Sequence, residues 1–452
     1  MIVTGEGKMT NGLKAKTAMF TIFLTLATIL AVSCRECPTE QPDYDIYLSA
    51  EDVFCTSIVL NVTLPDSGDV SAFALDRDDS TVATYTCSDD DTLIIDEDLT
   101  PDTDYTYRVR FMNDGKTKSE SDPVTVHTMD TTSHDFIWEI DKLGNYGSYL
   151  EDAWIVDENN IWIVGNIETD SGTYNAARWD GDKWNLLKVL SGYSPNYGIF
   201  YFSENDIWVT SGLPIHWNGS EWTLYHLWNM GVLDDDDGGV TAIWASSPSD
   251  IYFVGRNGSI VHYDGSTFTK MESGTDVDLT DICGDPNGEE IWVCGFDELK
   301  GSVLLKKEQN EEFAIINSIT SQTSLGQPGV ISHIYQSLWT DTNMNLFLAA
   351  TGRVYVVSAS SSCSVQELIW WDYSGNQYPP LTTTITGTNS NDIFIAGYYS
   401  SIRHFNGKNW AYISPEIEGE TIWFKIRAFE NMVVVVGMTG SYQAVVARGH
   451  HQ

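Results

Sequence analysis

The second two-thirds of the chain alternates short apolar runs with polar turn residues in a recurring order. Seven runs line up: NNIWIVG (159–165), NDIWVTSG (205–212), SDIYFVG (249–255), EEIWVCG (289–295), MNLFLAATG (344–352), NDIFIAG (391–397) and NMVVVVG (431–437). Their first apolar residues, Ile161, Ile207, Ile251, Ile291, Leu346, Ile393 and Val433, are 46, 44, 40, 55, 47 and 40 positions apart. Short β-branched and aromatic runs between turn residues read as strands. A period near 45 residues is that of a four-stranded propeller blade.

The flanks of each run follow the same plan. Ahead of it comes another β-rich stretch, such as VTAIWAS (240–246), LTDICG (279–284) or LTTTITG (381–387). Behind it stands a hairpin: ARWDGDKWNLL (177–187), IHWNGSEWTLY (215–225), VHYDGSTFTKM (261–271) and RHFNGKNWAYI (403–413). Asp-Gly and Asn-Gly predict two-residue type I′ turns, in which both central residues take positive φ. The units near 308–316 and 358–369 lack this turn but keep β-rich flanks. The last unit ends after QAVVAR (443–448) without an outer strand, and a spare strand, FIWEI (136–140), precedes the first full unit. Its pairing there would close a ring and leave no open edge. The prediction for 135–452 is therefore a seven-bladed β-propeller closed by an N-terminal strand.

Residues 43–128 carry a different rhythm: SIVLNVTL, VATYTC, TLIID, YTYRVRF and VTVHT, separated by Asp, Ser, Gly and Pro turns. Such spacing suits an immunoglobulin-like sandwich, so the whole chain reads as all-β. Within it, Leu99-Thr-Pro101-Asp-Thr103-Asp-Tyr105-Thr-Tyr107 resembles the fibronectin type III signature. That resemblance implies a tyrosine-corner role for Tyr105, its hydroxyl bonded back to the preceding loop. The segment Ser57–Leu64 lacks the tryptophan usual in an early strand of that family, which implies a differently filled core. Joined to the junction TMDTTSHDFIWEIDKLG (128–144), the architecture is similar to a group of bacterial surface lipoproteins, some bearing generic labels such as glucosyl transferase. The resemblance implies architecture and brings no site residues.

The N-terminus reads as an address. Lys8, Lys14 and Lys16 precede a charge-free stretch from Thr17 to Ser33, shorter than a spanning helix needs, and Ala31-Val32-Ser33-Cys34 resembles a bacterial lipobox. Residues 1–33 are expected to be a signal peptide, Cys34 the lipidated residue embedded in a bilayer, and 34–42 a tether. The expected location is the cell envelope, at the outer membrane or cell surface of a bacterium. The net charge of −40 excludes nucleic acid as a partner, since phosphate binding needs basic patches. Besides Cys34 there are Cys37, Cys55, Cys87, Cys283, Cys294 and Cys363; Cys283 and Cys294 either face each other across a hairpin or stay as buried thiols.

Candidate chemistry is sparse. His216, His262 and His404 occupy one repeat position, two residues before Asn/Asp-Gly, and equivalent positions on different blades diverge. Trp179, Trp184, Trp217, Trp222, Phe268 and Trp410 read as packing aromatics by the same reasoning. The arginines do not cluster as a sialidase-like site requires, with Arg178 and Arg403 beside outer hairpins. No GxSxG elbow, HExxH helix or phosphate loop occurs. The acidic loop Asp234, Asp235, Asp236, Asp237 before Gly238-Gly239 is either a solvated loop or a structural Ca²⁺ site; no other cofactor is expected. The expectation is a non-enzymatic surface protein that binds a glycan or protein ligand on a propeller face. The alternative is a secreted carbohydrate-active enzyme using carboxylates in the propeller funnel.

Overall fold

The computed structural model describes residues 2–3, 46–63, 72–86, 92–113, 116–193, 195–319, 335–350, 353–357, 365–368 and 382–451. It divides into two compact units, Met1–Asp130 and Thr131–Gln452. Cys34 and the segments 4–45 around it lie outside the described residues, as do Cys37, Cys87 and Cys363. Among the described residues no helix is long and apolar enough to cross a membrane.

The first unit has two sheets. In one, Ile58–Thr63 lies between Tyr47–Val53 and Thr92–Asp96, with Ile2–Val3 parallel to the outer side of Thr92–Asp96. In the other, Ala72–Arg77 lies between Ser80–Thr86 and Asp104–Asn113, and the last pairs with Lys116–Glu120 and Val124–His127. Alternate residues of both sheets face inward, so Ile58, Leu60, Val62 and Ile94 meet Phe73, Leu75, Tyr107, Val109 and Phe111 in one core. Aromatic rings fill its centre, Phe73 lying 5.2 Å from Tyr85 and 6.1 Å from Phe111 between centroids. The Tyr105 hydroxyl accepts the Thr100 backbone N–H at 2.9 Å. Tyr107 donates to Asp96 at 2.7 Å, and Asp96 also takes Arg77 at 2.8 Å, so each polar group in this core edge is partnered.

Among the described residues, the second unit forms seven four-stranded antiparallel sheets. Their first strands are Tyr149–Asp157, Gly198–Ser203, Val240–Ser247, Leu279–Gly284, Tyr335–Thr340, Thr382–Asn389 and Thr421–Phe429. Each packs against the first strand of the sheet before and after it, and the seventh packs against the first, so the inner strands form a closed ring. The repeated runs are the second strands. Ile161, Ile207, Ile251, Ile291, Leu346, Ile393 and Val433 are at most 1% exposed, because both faces of each second strand are covered by neighbouring sheets. Closure uses both ends of the unit: Phe136–Leu143 pairs along its whole length with Ala444–His451 and supplies the outer strand of the seventh sheet.

The outer hairpins stand where the sequence puts them, with a different turn. Only the glycines have positive φ: Gly181 (+92°), Gly219 (+89°), Gly265 (+90°) and Gly407 (+87°). The preceding Asp180, Asn218, Asp264 and Asn406 stay out of the left-handed region, which corrects the type I′ expectation. Each uses its side-chain oxygen instead to accept two backbone N–H groups across the turn. Asp264 takes Ser266 at 2.8 Å and Thr267 at 2.7 Å, and Asn406 takes Lys408 at 3.1 Å and Asn409 at 2.9 Å. Asp180 and Asn218 do the same. A short polar side chain thus does locally what a second left-handed residue would have done.

The inner strands carry a second shared irregularity. In six sheets one extra residue is inserted near the start of the first strand: Glu151, Thr241, Thr280, Gln336, Thr383 and Phe424. Such a bulge bends the strand and re-aims a side chain. It also accounts for the glycine that ends most repeated runs. A Cβ on Gly165, Gly255, Gly295 or Gly437 would strike the carbonyl oxygen of Tyr149, Gly239, Asp278 or Ile422 on the bulged strand. The second sheet has no bulge there. It places its glycine on the inner strand, Gly198 opposite Thr210.

Candidate functional site

All six bulged residues line one cavity of about 310 Å³ at the axis of the ring. After four of the bulges the following residue bonds a backbone N–H of the next sheet's inner strand. The Asp152 carboxylate accepts the Ile199 N–H at 3.3 Å, Asp281 accepts Leu338 at 3.3 Å, the Ser337 hydroxyl accepts Ile385 at 3.2 Å, and the Thr384 hydroxyl accepts Ile426 at 3.2 Å. These bonds stitch successive inner strands together and hold the cavity wall.

Two ion pairs tie the inner strands around the cavity, one between the adjacent seventh and first sheets and one reaching across the ring from the seventh sheet to the fourth. Arg427 binds Asp152 with two nitrogens, Nε to Oδ1 at 3.1 Å and Nη2 to Oδ2 at 2.9 Å, and Nε also reaches the Ala153 carbonyl at 3.2 Å. Lys425 donates to Asp281 at 2.8 Å, while Ser337 Oγ donates to the other Asp281 oxygen at 2.5 Å. Buried charge is tolerated here because each carboxylate is paired and hydrogen-bonded. Glu151 lies beside Asp152 without such a cation. Burial, with the Asp152 charge adding to it, raises its pKa from 4.5 to about 7. The cavity therefore offers a proton-holding carboxyl, two paired charges, and hydroxyl and amide groups from Thr241, Thr280, Gln336 and Thr383.

Sequence reasoning missed Glu151, Asp152, Asp281, Lys425 and Arg427. They sit in the stretches before the repeated runs, where repeats share a backbone form and differ in side chains. The terminal glycines were the available signal, since each marks a close backbone approach. Arg427, with Arg256, is at the axis, whereas Arg178 and Arg403 stand on third strands.

The three histidines lie on separate sheets, each bonded to its own aspartate: His216 to Asp206 at 2.8 Å, His262 to Asp250 at 2.8 Å, and His404 to Asp392 at 2.9 Å. Each ring stacks on the aromatic two residues after that aspartate, at 4.2 Å on Trp208, 4.5 Å on Tyr252 and 4.6 Å on Phe394. The first and fourth sheets repeat the arrangement with other chemistry. Arg178 donates to Asn160 at 2.8 Å beside Trp162, and Lys306 pairs with Glu290 at 2.7 Å beside Trp292. The position is thus a repeated polar–aromatic–base packing unit.

The outer aromatics face each other across the hairpins, Trp179 with Trp184 at 5.5 Å and Trp217 with Trp222 at 5.4 Å. In the acidic loop, Asp234, Asp235 and Asp236 are exposed. Asp237 is engaged by Lys270 at 2.7 Å and by the Asp234 backbone N–H at 2.7 Å. Cys283 and Cys294 are free thiols; Cys294 stands opposite Asp281 and Cys283 opposite Trp292, so the two do not face each other.

No family model matches the chain, and no curated protein matches it. Solved structures do. YCF48 bound to D1 peptide is 14% identical with a TM-score of 0.52, covering 70% of this chain and 96% of that one. Virginiamycin B lyase from Staphylococcus aureus is 12% identical with a TM-score of 0.53, covering 70% and 99%. Streptogramin B lyase is 14% identical with a TM-score of 0.51, covering 70% and 98%. At these identities the likeness concerns the fold alone, and the fold it shows is the β-propeller.

Proposed function

We propose that this chain is an exported, lipid-anchored surface protein whose seven-bladed propeller binds a glycan or protein ligand at its axial cavity, with the fibronectin type III-like residues 43–128 as a spacer. The observation that carries the binding reading is the set of six bulged residues that line one cavity together with two charge pairs. Pre-formed concave sites with a few convergent polar groups are where ligands bind. A protein ligand is in keeping with the peptide held by YCF48. Support for seven blades comes from the seven four-stranded sheets, and for the spacer from the two-sheet unit with its Tyr105–Thr100 bond. Export and anchoring rest on the charge-free stretch before Cys34.

A second reading is favoured by one residue. Glu151, with a pKa of about 7, has the property of a general acid at neutral pH. Lyases share the fold, so a propeller of this form is compatible with catalysis. Arrays of glycans and peptides probed with the full chain, beside a turnover screen on the same glycans, separate the two. Binding without turnover, weakened at least tenfold by Glu151→Gln, is expected. Turnover abolished by Glu151→Gln installs the enzyme reading, and binding that ignores cavity substitutions removes the ligand from the axis. Loss of labelled palmitate on Cys34→Ser in a bacterial host is the matching test of the anchor.

A further inference from the structure

The Asp–His pair recurs in the second, third and sixth sheets, but the sixth has additions. In the second and third, the histidine side chains are 21% and 26% exposed. In the sixth, His404 is fully buried and the Asp392 side chain 6% exposed. Two more imidazoles come from the end of the strand Ala444–His451 and from the segment just before Phe136–Leu143. His451 Nε2 lies 3.4 Å from Asp392 Oδ1, and His134 Nδ1 lies 2.9 Å from His404 Nδ1. A packing pair needs neither.

We propose that Asp392, His404 and His451 bind a divalent transition-metal ion, with Zn²⁺ the reference ion, at the seam between the sixth and seventh sheets. One ligand atom from each lies within 4.8 Å of the others. Tetrahedral Zn²⁺ with bonds of about 2.0–2.1 Å separates its ligand atoms by roughly 3.3 Å, and the spacings of Asp392 Oδ1 to His404 and His451, 2.9 and 3.4 Å, lie to either side of that. Imidazole nitrogens with one carboxylate select Zn²⁺ and its neighbours over Ca²⁺, which takes oxygen ligands.

Outer partners are in place too. Thr388 Oγ1 donates to the second Asp392 oxygen at 2.5 Å, and His134 contacts the far nitrogen of His404, the kind of contact that orients a metal-bound imidazole. Phe136 packs on His451 at 4.1 Å between centroids and Phe394 on His404 at 4.6 Å, giving the cluster an apolar wall. Because His451 belongs to the seventh sheet and Asp392 and His404 to the sixth, an ion here would staple neighbouring sheets where the ring closes.

The test uses the full chain stripped by chelator, titrated with Co²⁺ and then with Zn²⁺. One equivalent of Co²⁺ with tetrahedral visible absorption, displaced by Zn²⁺, is expected, with a Tm rise of roughly 4 °C at a hundredfold excess over Kd. His451→Ala, at the end of a strand, should weaken binding at least a hundredfold and cancel the Tm rise while far-UV circular dichroism stays unchanged. His262→Ala, in the equivalent pair of the third sheet, and His450→Ala, next in sequence, should leave binding as it is. Absence of saturable one-equivalent binding overturns the proposal. So does a His451→Ala chain that binds as tightly as the His262→Ala chain, which would place the ion elsewhere.

Discussion

The two edges of each propeller sheet are built by opposite strategies. At the outer edge, four hairpins repeat both backbone and side chains: an Asp or Asn accepts two N–H groups and a glycine follows it with positive φ. At the inner edge, six bulges repeat the backbone form while the bulged residue changes from Glu151 to Thr241, Thr280, Gln336, Thr383 and Phe424. Where side chains repeat, they maintain the fold. Where only the backbone repeats, side chains are free to make a site.

The strongest way to break the comparison is through the inner glycines. A Cβ on Gly437 would collide with the Ile422 carbonyl and lie 2.9 Å from Trp423 Cα, both backbone atoms that cannot turn aside. Gly437→Ala should cost about 3 kcal/mol, against about 1 kcal/mol for Gly181→Ala, where the penalty is one of φ and of displacing the Asn159 side chain. Denaturant midpoints of the two variants check this, and equal losses would show that the bulge tolerates a side chain.

A smaller effect belongs to Glu151. Its folded pKa of about 7 exceeds the ordinary 4.5, so between these values the folded chain holds a proton that the unfolded chain has released. Its stability contribution is fully present below pH 4.5 and is lost as pH rises through 7. Between pH 5 and pH 8 the wild type should lose about 2.5 kcal/mol more than Glu151→Gln, measured as unfolding free energy at each pH. Parallel pH profiles would mean that the carboxyl is solvated.

The smallest effect is at the outer edge. Asn406→Ala removes the acceptor of two turn N–H groups and should cost about 1 kcal/mol. Asn406→Asp, which keeps the acceptor, should stay within about 0.5 kcal/mol of the wild type. Thermal unfolding of the pair sharpens the distinction, since equal losses would assign the effect to packing and not to the acceptor oxygen.

Much of the fold was legible because burial leaves a periodic trace. Ile161, Ile207 and their counterparts recur at blade spacing since every second strand is covered on both faces. The closing strand was legible as a remainder, one strand too few after QAVVAR and one too many at FIWEI. The turn type was not. A sequence names Asp-Gly but does not say whether the aspartate takes positive φ or keeps its backbone ordinary and bonds through its side chain.

The bulges escaped for a related reason: one inserted residue in a short strand changes the alternation by a single place, which an apolar run hides. With them went the axial residues. Lys425 and Arg427 are two cations in the stretch TIWFKIR, and nothing local says that their carboxylate partners are Asp281 and Asp152, more than a hundred residues away. His134 lies 270 residues from His404, and the two come together beside His451 only because the ring closes between them.

What the sequence determined by itself is the repeated frame: strand, core position, hairpin and closing strand, each encoded within one unit by hydrophobic periodicity and turn chemistry. What only tertiary structure decided is which side chains from different units face one another. A closed ring brings distant residues together at its axis and its seam, and those meetings depend on the closure, which no single repeat contains.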